Sequence, residues 1–589
     1  MQLANSPKSQ APIARSWARN GEIIAEILNT FRRRIVVGQT CHLSLASKAM
    51  TETYRQPSKE AARRAALSHA VGILSIDRHQ ATCVRETYVR EVRDHLASRG
   101  TSYDKDVASC LSDHRVLLWE EFFRSRVGQR AMKDLTVCYL AGPEPLNDFR
   151  VLVDLGIHPH NIWAFESDQT SYAEAIEAVR GSGFPMLKVH RGSIEHFFES
   201  SPQRFDIIYL DACGPLPSPS QKTLKMVSTL LRHHRLASPG ALITNFACPD
   251  MASPQQVERY TRLVAAYLYP KGFLEFVHKN GEPGATEGPI CEGLLLDERD
   301  WTSDQAGESQ PPRQFLDLVR ADFPSYYGQY ITRQLMDLAS VIAPWIRLLG
   351  STYGPRLFTA DFAKIAEQAC QMNAFDQRTG DGGEVVADAD HYPLQWAVRS
   401  LLGGLENRPA PPGIADFVQS WLDQMGGGPA SRGGALQAIE CYDVLRRDHR
   451  FYSENLKRAI QCHRHGMHQF CDVPTETLMF DLLINQLVFP MHYVTPAIRR
   501  WSYTAKQTTM FLDVMVLDGC RYLYDWMPTL DLADEGLSDI QQQLSYRFAL
   551  DGLAKNRRWY NTEYFFGAAV IGQDTRPFDA RYLAQRRSL

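Results

Sequence analysis

The chain has 589 residues, 44% hydrophobic and 22% charged, so two to four ordinary domains are expected and a fibrous or disordered chain is excluded. Lys and Arg number 64 against 67 Asp and Glu, a net charge of -3, which speaks against a dedicated nucleic-acid binder. No run approaches the ~18 apolar residues that a membrane span needs.

The first twenty residues read as a polar tail with no secretory signal, since Arg15 and Arg19 are followed by no apolar core. The twelve cysteines, from Cys41 to Cys520, contain no C-x-x-C pair and no regular spacing. That usage fits a reducing compartment, and a cytoplasmic protein without membrane contact is expected.

Residues 21–132 form a basic helical module. From Met1 to Arg130 there are 4 Lys and 17 Arg against 13 acids, including the run Arg32-Arg33-Arg34. Ile23, Ile24, Ile27 and Leu28 recur at helical spacing, as do Val84, Tyr88, Val89 and Val92. Such helices are commonly solvated faces, and they also offer contacts to nucleic acid or to a partner protein.

The period changes over 133–300. Short apolar runs at Thr136–Leu140, Asn161–Phe165, Met186–Val189, Phe205–Leu210 and Ala241–Phe246 alternate with helical stretches. That alternation predicts an α/β Rossmann-like domain, with a seven-stranded, mostly parallel sheet between layers of helices. The runs Phe273–Val277 and Gly293–Leu296 flank a Gly/Pro-rich loop and read as a hairpin ending the sheet. Residues 301–589 are expected to be mainly helical, notably Phe315–Leu349, Thr477–Val494 and Thr508–Trp526. Glycines mark a division near 425–435.

Ligands of open parallel sheets bind outside the carboxyl ends of the strands, at the point where strand order reverses. That rule selects the turn at Gly142 and Glu144, the acid Glu166, the pair Ser193 and Ile194, and Asp211. An acid ending the second strand suits a ribose, because a carboxylate accepts from both vicinal hydroxyls. Glu166 and Asp168 also have a plainer reading as caps of the next helix, and Asp211 as a turn residue. Cys213 reads as a small loop thiol rather than a nucleophile.

The order of elements resembles a class I S-adenosylmethionine-dependent methyltransferase. Carrying it are the turn at Gly142, the acid Glu166, the run Phe205-Asp206-Ile207-Ile208-Tyr209-Leu210-Asp211 and a terminal hairpin. The resemblance covers about 133–300. It implies S-adenosylmethionine as cofactor, with Gly142 and Glu144 bounding its methionine part and Glu166 holding the ribose. Ser193 and Ile194 would lie beside the adenine, and Asp211 would face the cofactor amine and act on an unidentified methyl acceptor. Pro143 and Pro145 stand where the family usually has glycines, which favours a second reading, a binding or scaffold protein that keeps the fold without turnover. A nicotinamide-dependent dehydrogenase is a third, without its G-x-G-x-x-G turn. Cys462, His463, His465, His468 and Cys471 form a Cys/His cluster that matches no established zinc spacing, so no metal is assigned.

Overall fold

The structure is a computed structural model. It describes residues 56–99, 102–272, 313–371, 378–379, 385–386, 393–403, 411–426, 434–447, 449–465, 476–532, 535–536, 539, 542–546, 549 and 585–589. The residues from Pro57 onward form one packed unit.

Among the described residues four helices precede the sheet: α1 (Pro57–Leu74), α2 (Tyr88–Arg99), α3 (Ser102–Ser109) and α4 (Asp113–Val127). In α1 the buried side chains Ala62, Ala66, Leu67, Ala70, Val71 and Leu74 recur at three- and four-residue steps. This is one apolar stripe, and small alanines let the helix approach what it covers. Ser112 caps α4 by accepting from the Arg115 N–H, and Gly128 ends that helix at φ 63°.

Strands and helices then alternate as the periodicity predicts. They run β1 (Val137–Leu140), α5 (Leu146–Asp154), β2 (Ile162–Glu166), α6 (Gln169–Arg180), β3 (Lys188–Arg191), α7 (Ile194–Ser200), β4 (Phe205–Asp211), α8 (Thr223–Arg232), β5 (Leu236–Ala247) and α9 (Pro254–Gly272). The five strands are parallel in the spatial order β3-β2-β1-β4-β5. Every residue of β4 except Asp211 is buried, as a central strand covered on both faces requires.

The rest of the sheet comes from far down the chain. After α10 (Arg313–Ala321), α11 (Phe323–Asp337) and α12 (Ala343–Leu349), the chain forms an isolated pair, β6 (Arg378–Thr379) with β7 (Val385–Val386). Next come β8 (His492–Tyr493), β9 (Arg499–Ala505), β10 (Thr508–Asp518) and, near the C-terminus, β11 (Arg587–Ser588). β10 pairs antiparallel with β5 from Met510↔Ala247 to Leu517↔Gly240. β9 pairs antiparallel with β10 on its other side, and β11 lies parallel to β9.

Two expectations are corrected here. The sheet has nine strands and is mixed, rather than seven and mostly parallel. Thr508–Trp526 is not continuous helix, because Thr508–Asp518 is the long strand beside β5. An unbroken apolar run has no period, so a buried strand and a buried helix look alike until the partner strand is known. The expected hairpin at 273–296 lies outside the described residues. α11 is buried almost all round and packs on β10, where Thr332 donates to Asp513 (Oγ1 to Oδ2, 2.6 Å). Among the described residues no helix is long and apolar enough to cross a membrane.

Candidate functional site

Strand order reverses between β1 and β4, which bring the turn at Gly142 and the carboxylate of Asp211 to the same end of the sheet. The first turn is built around a tyrosine. Tyr139, fully buried in β1, donates its hydroxyl to the Pro145 carbonyl at 2.6 Å, and the Ala141 N–H reaches the Phe165 carbonyl at 2.9 Å. Gly142 sits at φ 59°, with nothing within 4 Å of where a Cβ would be. A left-handed turn thus leaves open space at the strand end. Glu144 turns toward the helix it precedes, accepting from Asn147 Nδ2 at 2.8 Å.

At the end of β2, Glu166 is half-buried and its Oε1 accepts from the Asp168 N–H at 2.7 Å. Asp168 takes the capping role, accepting from the Ser171 N–H at 2.8 Å. Ser193 caps α7 through the His196 N–H at 3.2 Å, and Ile194 is buried behind it. The two capping assignments leave Glu166 as the acid at the mouth of this edge.

Asp211 lies in a polar cluster. Its Oδ2 meets Lys59 Nζ at 3.0 Å and its Oδ1 accepts from Asn245 Nδ2 at 2.8 Å. The same Asn245 amide donates to the Tyr503 hydroxyl at 2.7 Å. Asn245 is fully buried, and its Oδ1 has no hydrogen-bond partner among the described residues. One turn along α1 from Lys59, Arg63 Nε donates to Asp148 Oδ1 at 2.6 Å, with both side chains buried. The first two turns of α1 therefore hold α5 and the end of β4 through two ion pairs.

Electrostatics keep the Lys59 ammonium charged and the nearby thiol neutral. Burial works against the Lys59 ammonium, yet the Asp211 carboxylate beside it raises its pKa. The Asp211 charge, then burial, pushes the Cys213 thiol up to about 12. Its sulfur stands 3.6 Å from Asp211 Oδ1, and a thiol held protonated is no nucleophile.

The loop after β4 is held from several sides. The Leu216 N–H donates to the Tyr327 hydroxyl at 2.6 Å, Tyr260 donates to the Pro217 carbonyl, and the Ala247 N–H donates to the Gly214 carbonyl at 2.9 Å. Asp211 is thereby pre-positioned by α9 and α11 as well as by its own strand.

Four of these residues are not legible as site residues in the sequence. Lys59 and Arg63 sit in the module read as basic helix, four apart and so on one face. Asn245, within the apolar run of β5, carries a usable signal, because a polar amide in a central strand needs a reason. Tyr503 carries none until β9 is paired.

Elsewhere, one group of described residues has metal-ligand chemistry: Cys83, Asp518 and Cys520, all buried, with ligand atoms within 4.8 Å of one another. Its carboxylate accepts from the N–H groups of Cys83 and Cys520, both at 3.0 Å, and from the hydroxyls of Ser238 and Tyr522. Three ligands around a carboxylate so occupied make a hydrogen-bonded knot, not a tetrahedral site. Of the Cys/His cluster, Cys462, His463 and His465 end the helix Glu454–His465, while His468 and Cys471 lie outside the described residues. No protein-family model, curated protein or solved structure matches the chain.

Proposed function

We propose that the cleft at the carboxyl ends of β1, β2 and β4 binds S-adenosylmethionine, and that the protein is a methyltransferase acting on an unidentified acceptor. The observation that carries this reading is the strand order. Five parallel strands in the order 3-2-1-4-5 are followed by an antiparallel strand, β10, and then by β9, parallel to β5. That order puts a strand-order reversal between β1 and β4, where a Rossmann-like sheet would take its ligand, and this supports the reading although the whole sheet is mixed and nine-stranded.

The residues present fit the cofactor. Gly142 leaves room for its methionine part, Glu166 offers a half-exposed carboxylate to the ribose, and the Asn245 amide oxygen is a buried acceptor in want of a donor. When bound, the cofactor supplies an electrophilic methyl on a sulfonium, so little acid–base machinery is required. Asp211 orients the amine or the acceptor, and Ser193 and Ile194 line the adenine edge.

A second reading rests on one observation. Lys59 already satisfies Asp211 Oδ2, which favours a scaffold whose cleft is filled by its own helix. Calorimetric titration with S-adenosylmethionine, S-adenosylhomocysteine and NAD separates the readings. Glu166→Ala is expected to weaken S-adenosylhomocysteine binding by about 2 kcal/mol, since contacts to a charged acceptor are lost. Thermal stability should scarcely change, because Asp168 and not Glu166 caps α6. Lys59→Met is expected to tighten binding several-fold by freeing Asp211. Failure of both the parent protein and Lys59→Met to bind at millimolar ligand leaves the scaffold.

A further inference from the structure

The amino end of β5 carries a feature that the cleft at the other ends of the strands does not use. The turn from α8 into β5 reads Arg232-His233-His234-Arg235. Its His234 faces Phe489 edge-on, with ring centroids 5.7 Å apart at 80°. Both residues have left-handed backbone, φ 53° for His234 and 50° for Phe489. Histidine visits this region more readily than most side chains, whereas for Phe489 the conformation costs on the order of 1 kcal/mol or more. Phe489 is also 43% exposed, rare for a large aromatic side chain held at such expense.

Guanidinium groups surround this pair. Arg521 lies over the Phe489 ring, 4.1 Å from its centroid. Arg347 donates to the carbonyls of Leu231 (2.7 Å), Val488 and Phe489 (2.7 Å), and so fastens the β5 turn to the Phe489 turn. Arg235 is anchored on the Phe198 carbonyl at 2.6 Å, and Arg204 is exposed beside it. Burial first, and then Arg347, Arg204, Arg235 and His233, drives the His234 pKa down to about 3, so the imidazole is neutral beside these guanidiniums. The acids that act on the cluster are Glu199, near Arg232 and His233, and Asp525, paired with Arg521. Five guanidiniums thus face two carboxylates around one exposed ring.

We propose that the surface formed by Arg204, Arg232, Arg235, Arg521 and Phe489 binds a single-stranded nucleic acid, whose phosphates meet the arginines and one of whose bases stacks on Phe489. Guanidinium forks match phosphate oxygens, and an exposed ring backed by a cation is a stacking platform for any unpaired base. A duplex has its bases already stacked and gains nothing from the ring. An acidic peptide would use the cations but not the ring. Leu236 lies opposite Phe205 and Asn245 opposite Asp211, so six residues of β4, roughly 20 Å at about 3.3 Å per residue, separate this surface from the candidate cleft and the two do not overlap.

The test is fluorescence anisotropy of the full-length protein with a labelled oligothymidylate and oligouridylate of about twelve nucleotides, over a range of potassium chloride. The expected result is saturable binding whose log K falls with log salt at a slope near -2, about three phosphates at about -0.7 each. Phe489→Ala should weaken binding about fivefold or more with the slope unchanged, and Phe489→Tyr should restore it. Arg232→Glu with Arg235→Glu should weaken binding at least tenfold and flatten the slope. Arg204→Glu, at an exposed position, gives a milder loss of the same kind if the double variant does not fold. The proposal is overturned if the parent protein does not bind. It is equally overturned if these variants bind as tightly as the parent, which would move the contact to the Arg32–Arg34 segment. Competition by polyglutamate as effective as that by unlabelled oligonucleotide would also overturn it, by leaving the ring without a role.

Discussion

Arg63→Met is expected to destabilise the protein by about 3–5 kcal/mol in urea or guanidinium denaturation. Arg63 and Asp148 are both buried, so removal of the guanidinium leaves a buried carboxylate without its ion-pair partner, with only the more distant Lys59 to offset its charge. Burial already raises the Asp148 pKa, and Arg63 is the main group opposing that shift. The double variant Arg63→Met/Asp148→Leu should recover most of the loss, because no unpaired charge then remains. The pair also holds α1 against α5, the helix that follows the Gly142 turn. The single variant is therefore expected to weaken ligand binding at the cleft beyond what its stability loss explains. A single-variant loss below about 1 kcal/mol would mean that the two side chains are solvated and α1 does not seal this edge.

Phe511→Ala is the second large effect, expected at about 3–5 kcal/mol. Phe511 is 2% exposed, packs edge-on to Tyr327 at 5.5 Å and lies beneath the Arg586 guanidinium at 5.3 Å. Its ring also fills the space that Gly328 leaves, since a Cβ there would come within 3.0 Å of it. Truncation opens a cavity between α11 and β10 that neither rigid element can close. Gly328→Ala should be destabilising on its own, and less so with Phe511→Leu, a coupling measurable as a double-mutant cycle. Independent effects would mean that helix and strand do not pack as described.

Much of the parallel half is legible in the residues alone. Each of its five strands overlaps a short apolar run, with β3 displaced two residues beyond Met186–Val189 and β5 extended at the amino end, to Leu236. Asp211 stands at the end of β4, where the strand-end rule puts a ligand-facing group. Asp168 is the cap its plain reading makes it, and Cys213 lies in the loop beside Asp211, whose charge pushes its thiol pKa up. In each case the deciding forces act over a few residues: the alternation of period, the cap, the turn.

The remainder depends on contacts across hundreds of positions. Lys59 and Asp211 are 152 residues apart in number, and Asn245 and Tyr503 are separated by 258. Nothing in the local pattern of either partner names the other. β10 shows the same limit in another form. Met510 to Leu517 is apolar at all but one position, and only its ladder with Gly240–Ala247 makes it a strand.

By itself, then, the sequence determined the periods, caps and turns of residues 57–272, because local sterics and solvent exposure dictate them. Tertiary structure alone decided which distant strand closes the sheet and which cations reach Asp211 and Asp148. Backbone pairing and desolvated charge are satisfied by whichever partner the folded chain brings near, and the residues themselves do not record that choice.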